Sequence, residues 1–387
     1  MGVELLDGIG WTAMSFFASP VLWLAILVSF LLSVRRVKRE RNLFRSRTRS
    51  KRTDVFETLV PGIIIGLVLS IVSLSLQLTL SFEFILAFIV LASLMLLTGI
   101  VRFNLPLWPL VVLAGLTWFV TGDRMADLKD VSVTNWLVLA ALSLAAELVL
   151  LIWRGKKNLS PSLVLSKRGR YIGGLSSNKL WVVPLVVLVP GSSLETFIPQ
   201  WSFPEFVPII LFLPIGFSFL FTGQLPEHLM RPLVQGRLIT LLLSVVLAAG
   251  AFLTGQDVWL YGLPVLLLVH LLLHQRTKRL NRSQTPLFLN GKRGVVILGT
   301  LPEKPASEMG LIPGEAIYKV NGEFVESEKS FYEAIQKHKP YLRLEVMNHN
   351  GDVRFAQRAF YEQDHHDLGI LFVSEPGNKR TKIRTLH

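Results

Sequence analysis

Between Met14 and Leu273 the chain is a succession of apolar stretches, most of them 16 to 22 residues long, broken by short polar loops. An apolar run of about 20 residues is what crosses the ~30 Å hydrocarbon core of a bilayer as a helix. Only 17% of the residues are charged and the mean hydropathy is +0.49; soluble domains carry roughly 25% charged residues. The expected architecture is a polytopic α-helical membrane domain of about seven to nine spans over residues 14–273, followed by a small α+β domain. The N-terminal segment 1–13 lacks the basic flank of a cleavable signal peptide, so the first apolar stretch is expected to remain as a transmembrane helix.

Loop charge sets an orientation. Arg35–Arg52 holds ten basic residues and one acid, and residues 154–170 hold six basic residues. Lys/Arg-rich short loops stay on the cytoplasmic side. Nine spans are expected: 14–34, 59–80, 82–101, 105–121, 133–153, 180–198, 206–221, 238–253 and 258–273. In this scheme Arg102, Arg231 and Arg237 mark inner loops, while Gly122–Asp130 lies outside. The sixth and seventh spans are broken by Pro184, Pro190, Pro208 and Pro214, and re-entrant segments are the alternative there. The N-terminus is then outside and everything after a basic linker, 274–285, is cytoplasmic. The loop 35–52 serves as a topology determinant, a site for anionic lipid, or both.

The net charge of +13 is uneven: residues 1–285 carry 26 basic and 14 acidic side chains, 286–373 carry 10 and 12, and the tail 374–387 carries 4 and 1. The folded C-terminal region is thus not basic, which argues against nucleic acid as a partner. The chain has no cysteine, which excludes disulfides, zinc–thiolate sites and thiol catalysis.

Residues 286–373 change character. Gly294–Thr300 is β-rich, a turn-rich stretch follows with a short helical piece at 306–309, and Ala316–Val320 reads as a strand ending in an Asn321-Gly322 turn. Ser330–Lys339 is helical, with Phe331, Ala334 and Ile335 on one face. Tyr341–Met347, Val353–Phe360 and Leu368–Val373 complete the strands. The spaced residues Pro305-Ala306, Gly310-Leu311, Gly314-Glu315 and Asn321-Gly322 carry a resemblance to bacterial PDZ domains. Gly310 ends a short helix where a left-handed residue fits, and Glu315 stands where that family usually has Asp. The resemblance implies strand-addition peptide binding. Its implied acceptor strand is Val295, Val296, Ile297 and Leu298, with Ser330 and Ala334 on the groove-side helix. Lys292, Arg293 and Gly294 would hold a terminal carboxylate.

Catalytic patterns are missing. His270 and His274 have the spacing of a metalloprotease pair, but Leu271 occupies the position of the general base. His365-His366 has no metal-ligand spacing. Ser192-Ser193 lacks a nucleophile elbow and a base, and no phosphate-binding loop is present. No cofactor or metal is expected. Glu147, in the fifth span, is the one acid embedded in an apolar stretch; it reads as a proton or substrate site or as an interhelical hydrogen bond.

Many spans, no catalytic residues and one C-terminal PDZ-like module together resemble the MinJ-type cell-division topological determinants. The resemblance implies a non-enzymatic scaffold in the cell membrane of Gram-positive bacteria, at septum and poles. It implies partners as well: a DivIVA-like polar scaffold, a MinD/MinC-type division inhibitor and other divisome membrane proteins. The alternatives are a partner of a membrane protease and a transporter with a regulatory PDZ domain.

Overall fold

The computed structural model describes residues 2–98, 107–119, 131–166, 169–201, 203–289, 294–337, 341–348, 351–359, 368–373 and 384–385. The expected outer loop Gly122–Asp130, Arg102, Lys292, Arg293, His365 and His366 lie outside these residues, as does most of the tail 374–387.

The N-terminal part comprises α1 (Gly2–Ala18), α2 (Pro20–Phe44), α3 (Lys51–Ser75), α4 (Phe82–Leu97), α5 (Trp108–Phe119), α6 (Val133–Arg154), β1 (Ser160–Leu165), β2 (Tyr171–Pro190), α7 (Gly191–Glu195), β3 (Phe206–Phe221), α8 (Pro226–Thr254) and α9 (Gly262–Ser283). Among the described residues, five helical segments are long and apolar enough to cross a membrane: Gly10–Phe44, Lys51–Ser75, Val133–Arg154, Pro226–Thr254 and Asp257–Ser283. The chain is therefore a membrane protein. α4 and α5 are apolar but shorter, at 16 and 12 residues. The basic stretch expected as a linker continues α9 to Ser283.

Two of the expected spans are strands. Residues 180–190 and 206–221 do not form helices, and only the short α7 follows at Gly191–Glu195: β2 and β3 pair antiparallel from Leu175↔Phe221 to Pro190↔Phe206 without a break in register. The prolines explain how. Pro214 faces Val182, Pro184 faces Phe212, Pro208 faces Leu188 and Pro190 faces Phe206, so all four fall in pairs of one parity. Opposed residues in an antiparallel ladder alternate between hydrogen-bonded pairs and pairs whose polar groups point away. The prolines occupy the second kind. Val186, of the same parity, turns its N–H outward to Ser70 Oγ at 3.0 Å. Ile210, opposite it, donates outward to Ser15 Oγ at 3.1 Å. A proline there removes no ladder hydrogen bond.

The hairpin lies inside the helical shell, so its edges need partners. Leu188 donates to Leu78 O and accepts from Leu80 N, both at 2.9 Å, and Thr12 Oγ1 donates to Pro208 O at 2.9 Å. Non-helical backbone survives among apolar segments only when protein satisfies it in this way. α3 shows the matching side-chain pattern. Its buried face is Thr58, Gly62, Ile65, Gly66, Leu69, Ser70 and Ser73, whereas Leu67, Val68 and Ile71 are exposed. Small residues face inward, where backbones approach closely, and large apolar ones face outward, as expected against lipid. A Cβ on Gly62 would sit 2.7 Å from the Val182 carbonyl carbon.

The C-terminal part contains β4 (Val295–Thr300), α10 (Pro305–Glu308), β5 (Ala316–Val320), β6 (Glu323–Phe324), α11 (Glu328–Lys337), β7 (Tyr341–Met347), β8 (Val353–Ala359), β9 (Ile370–Phe372) and β10 (Arg384–Thr385). Its sheet runs β8-β7-β5-β4-β9, with β6 on β5. A separate core forms from Val295, Ile297, Leu311, Ile317, Phe331, Leu344 and Ile370 with their neighbours. Gly310 and Gly314 adopt φ of 64° and 95°, and Asn321-Gly322 φ of 49° and 88°, the left-handed conformations a turn needs.

This region is packed onto the N-terminal part. Phe288, Val296, Leu298 and Val373 belong to the large core shared with the helices and hairpin. Gly173 N donates to Phe288 O at 2.8 Å and Leu287 N to Thr222 O at 2.9 Å. A Cβ on Gly173 would lie 2.7–2.8 Å from side-chain atoms of Val373, Leu298 and Phe288, so the close approach requires glycine. β10 adds to the outer edge of β1, with Val164 opposite Arg384.

Candidate functional site

The topology decides which strand can receive another chain. β4, the expected acceptor, has neighbours on both sides. Val295 and Val296 pair with β5, while Ile297, Gly299 and Thr300 pair with β9. Val295, Val296, Ile297 and Leu298 are all buried. An interior strand offers no open row of N–H and C=O groups, so the acceptor assignment is corrected. Gly294 is a packing position: a Cβ there would stand 2.8 Å from Tyr318 Cα. Among the described residues the outermost strands of the sheet are β8 and β9.

β9 is the edge beside a helix. α11 packs against it through Phe331, whose ring lies 5.0 Å from that of Phe372, and Tyr332, at 6.5 Å. The helix begins with a reciprocal cap: Ser330 N donates to Ser327 Oγ and Ser327 N to Ser330 Oγ, both at 3.1 Å, which satisfies two donors at the N-terminus. Ser330 is thereby a capping residue. Ala334 is buried with Phe331 and Ile335. The residues expected on the groove side therefore serve the core and the cap. The outer face of α11, with Lys329, Glu333 and Gln336, opens on a cleft of about 1160 Å³ that Tyr332 also borders.

The far wall of this cleft comes from the membrane part: Arg45, Gly169, Arg170 and Tyr171. Arg45 is the left-handed C-cap of α2, at φ 56°, its N–H donating to Arg41 O at 2.9 Å. Gly169, at φ 74°, closes the β1–β2 turn, in which Ser166 N donates to Arg170 O at 2.9 Å. Backbone geometry thus fixes where both arginines emerge. Sequence reasoning missed this wall because the three segments are more than 100 residues apart. The available signal was the length of β9: short terminal strands commonly form sheet edges.

Behind the groove, Glu315 ties the module together. Its carboxylate takes two bonds from Arg354, Nε to Oε1 at 2.8 Å and Nη2 to Oε2 at 2.7 Å, and accepts Ile312 N at 3.0 Å. The tight-turn hydrogen bond is made by the longer acid. The bond to Glu315 holds the Arg354 guanidinium above its ordinary value. Pro305 begins α10, and Ala306 and Leu311 are buried beneath it.

A second cluster of functional side chains lies within the bundle. Arg237, expected in an inner loop, is buried in the middle of α8, and its Nε donates to Glu147 Oε1 at 2.7 Å. His270 Nε2 is 3.7 Å from Glu147 Oε2, and His274 Nδ1 is 3.4 Å from Arg237 Nη2. The arginine at the centre makes this an ion-paired lock between α6, α8 and α9, and it disfavours a bound cation. Ser193 accepts Phe82 N at 2.9 Å and donates to Glu83 at 3.0 Å, tying the start of α4 to α7. Among the described residues no group of three or more His, Asp or Glu side chains could hold a metal ion.

Comparison with known proteins gives one consistent result. The chain is 32% identical to the cell division topological determinant MinJ of Bacillus subtilis (strain 168), over 97% of this chain and 96% of that protein. It is 27% identical to the probable cell division topological determinants MinJ of Lacticaseibacillus paracasei and of Lacticaseibacillus casei (strain BD-II), over 92% of this chain and 95% of each relative. None of these names is that of an enzyme. No protein-family model and no solved structure matches the chain.

Proposed function

This chain belongs to the MinJ family of cell division topological determinants, and from that membership we propose that it is a non-enzymatic membrane scaffold that helps place the division septum. Residues 286–373 act as a PDZ-like peptide-binding module. The bound peptide adds a strand to the free edge of β9 and rests its side chains against α11. By the family resemblance, its partners are a DivIVA-like scaffold at poles and septa and a MinD/MinC-type inhibitor of division-ring assembly, together with other divisome membrane proteins. The scaffold bridges the two, and several modest contacts on one membrane-bound chain reinforce one another through high effective concentration.

The observation that carries this reading is the cleft between α11 and the membrane part, which reaches Val373 at the end of β9. It is open, it lies beside an edge strand, and it belongs to a module with no catalytic constellation among its described residues. The basic loops support a cytoplasmic position for the module: Arg45 and Arg170, from 35–52 and 154–170, share a cleft with it, and such loops face the cytoplasm. The N-terminus is then outside. Exposed cations of those loops that are not ion-paired within the protein, as Arg36, Arg49 and Arg154 are, contact anionic lipid.

Imaging of a fluorescent fusion tests the reading, with and without the polar scaffold. Signal concentrates at septa and poles, disperses when the scaffold is absent, and a deletion strain misplaces its septa. Gln336→Trp, an exposed substitution that fills the cleft, reproduces part of the deletion phenotype. Uniform membrane signal together with normal septa in the deletion strain overturns the proposal.

A further inference from the structure

We propose that the peptide groove is a composite of both parts of the chain, and that its basic wall, Arg45 and Arg170, selects an acidic peptide segment. This rests on the groove reading above and names the chemistry of its ligand.

Three observations carry it. First, both arginines line the same cleft as Lys329, Tyr332 and Gln336, although they belong to the α2 cap and the β1–β2 turn. Second, neither guanidinium has an ion-pair partner among the described residues, whereas nearby arginines do: Arg36 is 2.9 Å from Asp54 and Arg154 is 2.5 Å from Glu57. Third, the wall is held in place. Gly173, two positions beyond Tyr171, is locked against Val373, at the end of β9, so the turn that carries Arg170 is held beside the edge strand, and Arg45 is set by its own cap on α2.

The geometry gives the peptide two environments. Side chains alternate to opposite faces along an extended strand. One set of a peptide's side chains on β9 meets Tyr332 and Gln336 of α11. The other set is turned toward the membrane part, where Arg45 and Arg170 supply the charge. Glu333 on the helix side already has Lys329 at 3.7 Å, and Glu328 sits in the first turn of α11, where an acid complements the helix dipole. The acids that line the cleft, Glu326, Glu328 and Glu333, all belong to α11 and the turn before it, and the opposite wall carries only the arginine pair. Charged groups at the rim of an interface chiefly set specificity and encounter rate.

The test uses the full chain in phosphatidylcholine nanodiscs and a random decapeptide library with free C-termini. The wild type selects peptides enriched in Asp and Glu. The best of these, resynthesised, binds roughly tenfold more tightly than its Asn/Gln counterpart. The double variant R45E/R170E keeps the wild-type melting temperature, still binds the Asn/Gln peptide and loses the tenfold preference. An unchanged preference in the variant overturns the proposal, as does a basic consensus, or an arginine effect seen only on binding to phosphatidylglycerol vesicles. Selection of no peptide by either protein overturns the groove reading itself, and this inference with it. Peptides selected without acidic preference overturn this inference alone.

Discussion

Glu147 on α6 and Arg237 on α8 meet at 2.7 Å, each about 1% exposed, with no other ionised partner as close to the carboxylate. An acid in an apolar helix looks functional on its own. Paired with a guanidinium on the neighbouring helix, it becomes a connection between helices. Removing one partner of such a pair strands the other charge and costs about 3–5 kcal/mol, whereas replacing both by apolar groups is often near neutral. Glu147→Ala or Arg237→Ala should therefore lower the melting temperature in detergent sharply, and E147L/R237M should recover most of it. The double variant should still place septa normally, which a proton-coupled transporter would not permit.

The hairpin prolines yield a parity test. Leu185 faces Leu211 in a pair of the parity opposite to that of the prolines, so its N–H lies in the ladder. Leu185→Pro should cost about 3 kcal/mol or more and abolish accumulation of folded protein. Pro214→Val should be tolerated within about 1 kcal/mol, because its position carries no ladder bond. Similar loss in both variants, measured by fluorescence-detected size exclusion, would refute the register.

The absence of cysteine makes the junction between the two parts easy to interrogate. A Cβ on Gly299 would lie 4.0 Å from that of Pro161, within disulfide range. P161C/G299C should cross-link rapidly under mild oxidation, visible as a mobility shift on non-reducing gels. Adding Gly173→Leu, which has no room beside Val373, Leu298 and Phe288, should prevent it. Persistent cross-linking in the triple variant would mean that the junction does not depend on that close approach.

Glu315 is buried and Arg354 is about one third exposed, so the pair is asymmetric. Loss of Arg354 leaves the carboxylate with only the Ile312 N–H and should cost about 2 kcal/mol. Hydrogen exchange at Ile312 and along β8 should rise at least tenfold in Arg354→Ala. Glu315→Asp should show a smaller rise, since the shorter chain keeps one bond and loses the two-point grip.

The C-terminal module was largely legible because its instructions are local. Gly310, Gly314 and Asn321-Gly322 each specify a turn within their own few residues, and the amphipathic spacing of Phe331, Ala334 and Ile335 marks one helix. The membrane part was legible as apolar, less so as to element type. WVVPLVVLVP and FVPIILFLPIGF are hydrophobic throughout, and a fully buried strand then lacks the alternation that separates strand from helix. The clue lay in Pro184 and Pro190, six apart, and in Pro208 and Pro214, also six apart: an even spacing suits a strand and breaks a helix. Gly62 and Gly66 on α3 signalled a close backbone contact without saying with what. Arg237 looked like a loop marker because its partner, Glu147, lies 90 positions away.

β2 passes Gly173 beneath the C-terminal module and then pairs with β3 in one unbroken ladder from Leu175 to Pro190, beside α7. At about 3.3 Å per residue its 20 residues extend over roughly 60 Å, twice the ~30 Å of a bilayer core. The module is thus mounted on a mast that is stepped in the bundle, and its cleft keeps a set distance and compass heading from the helices. On the proposed scaffold function, a protein caught there would arrive already aimed, with part of the orientational entropy of its next contact spent in advance.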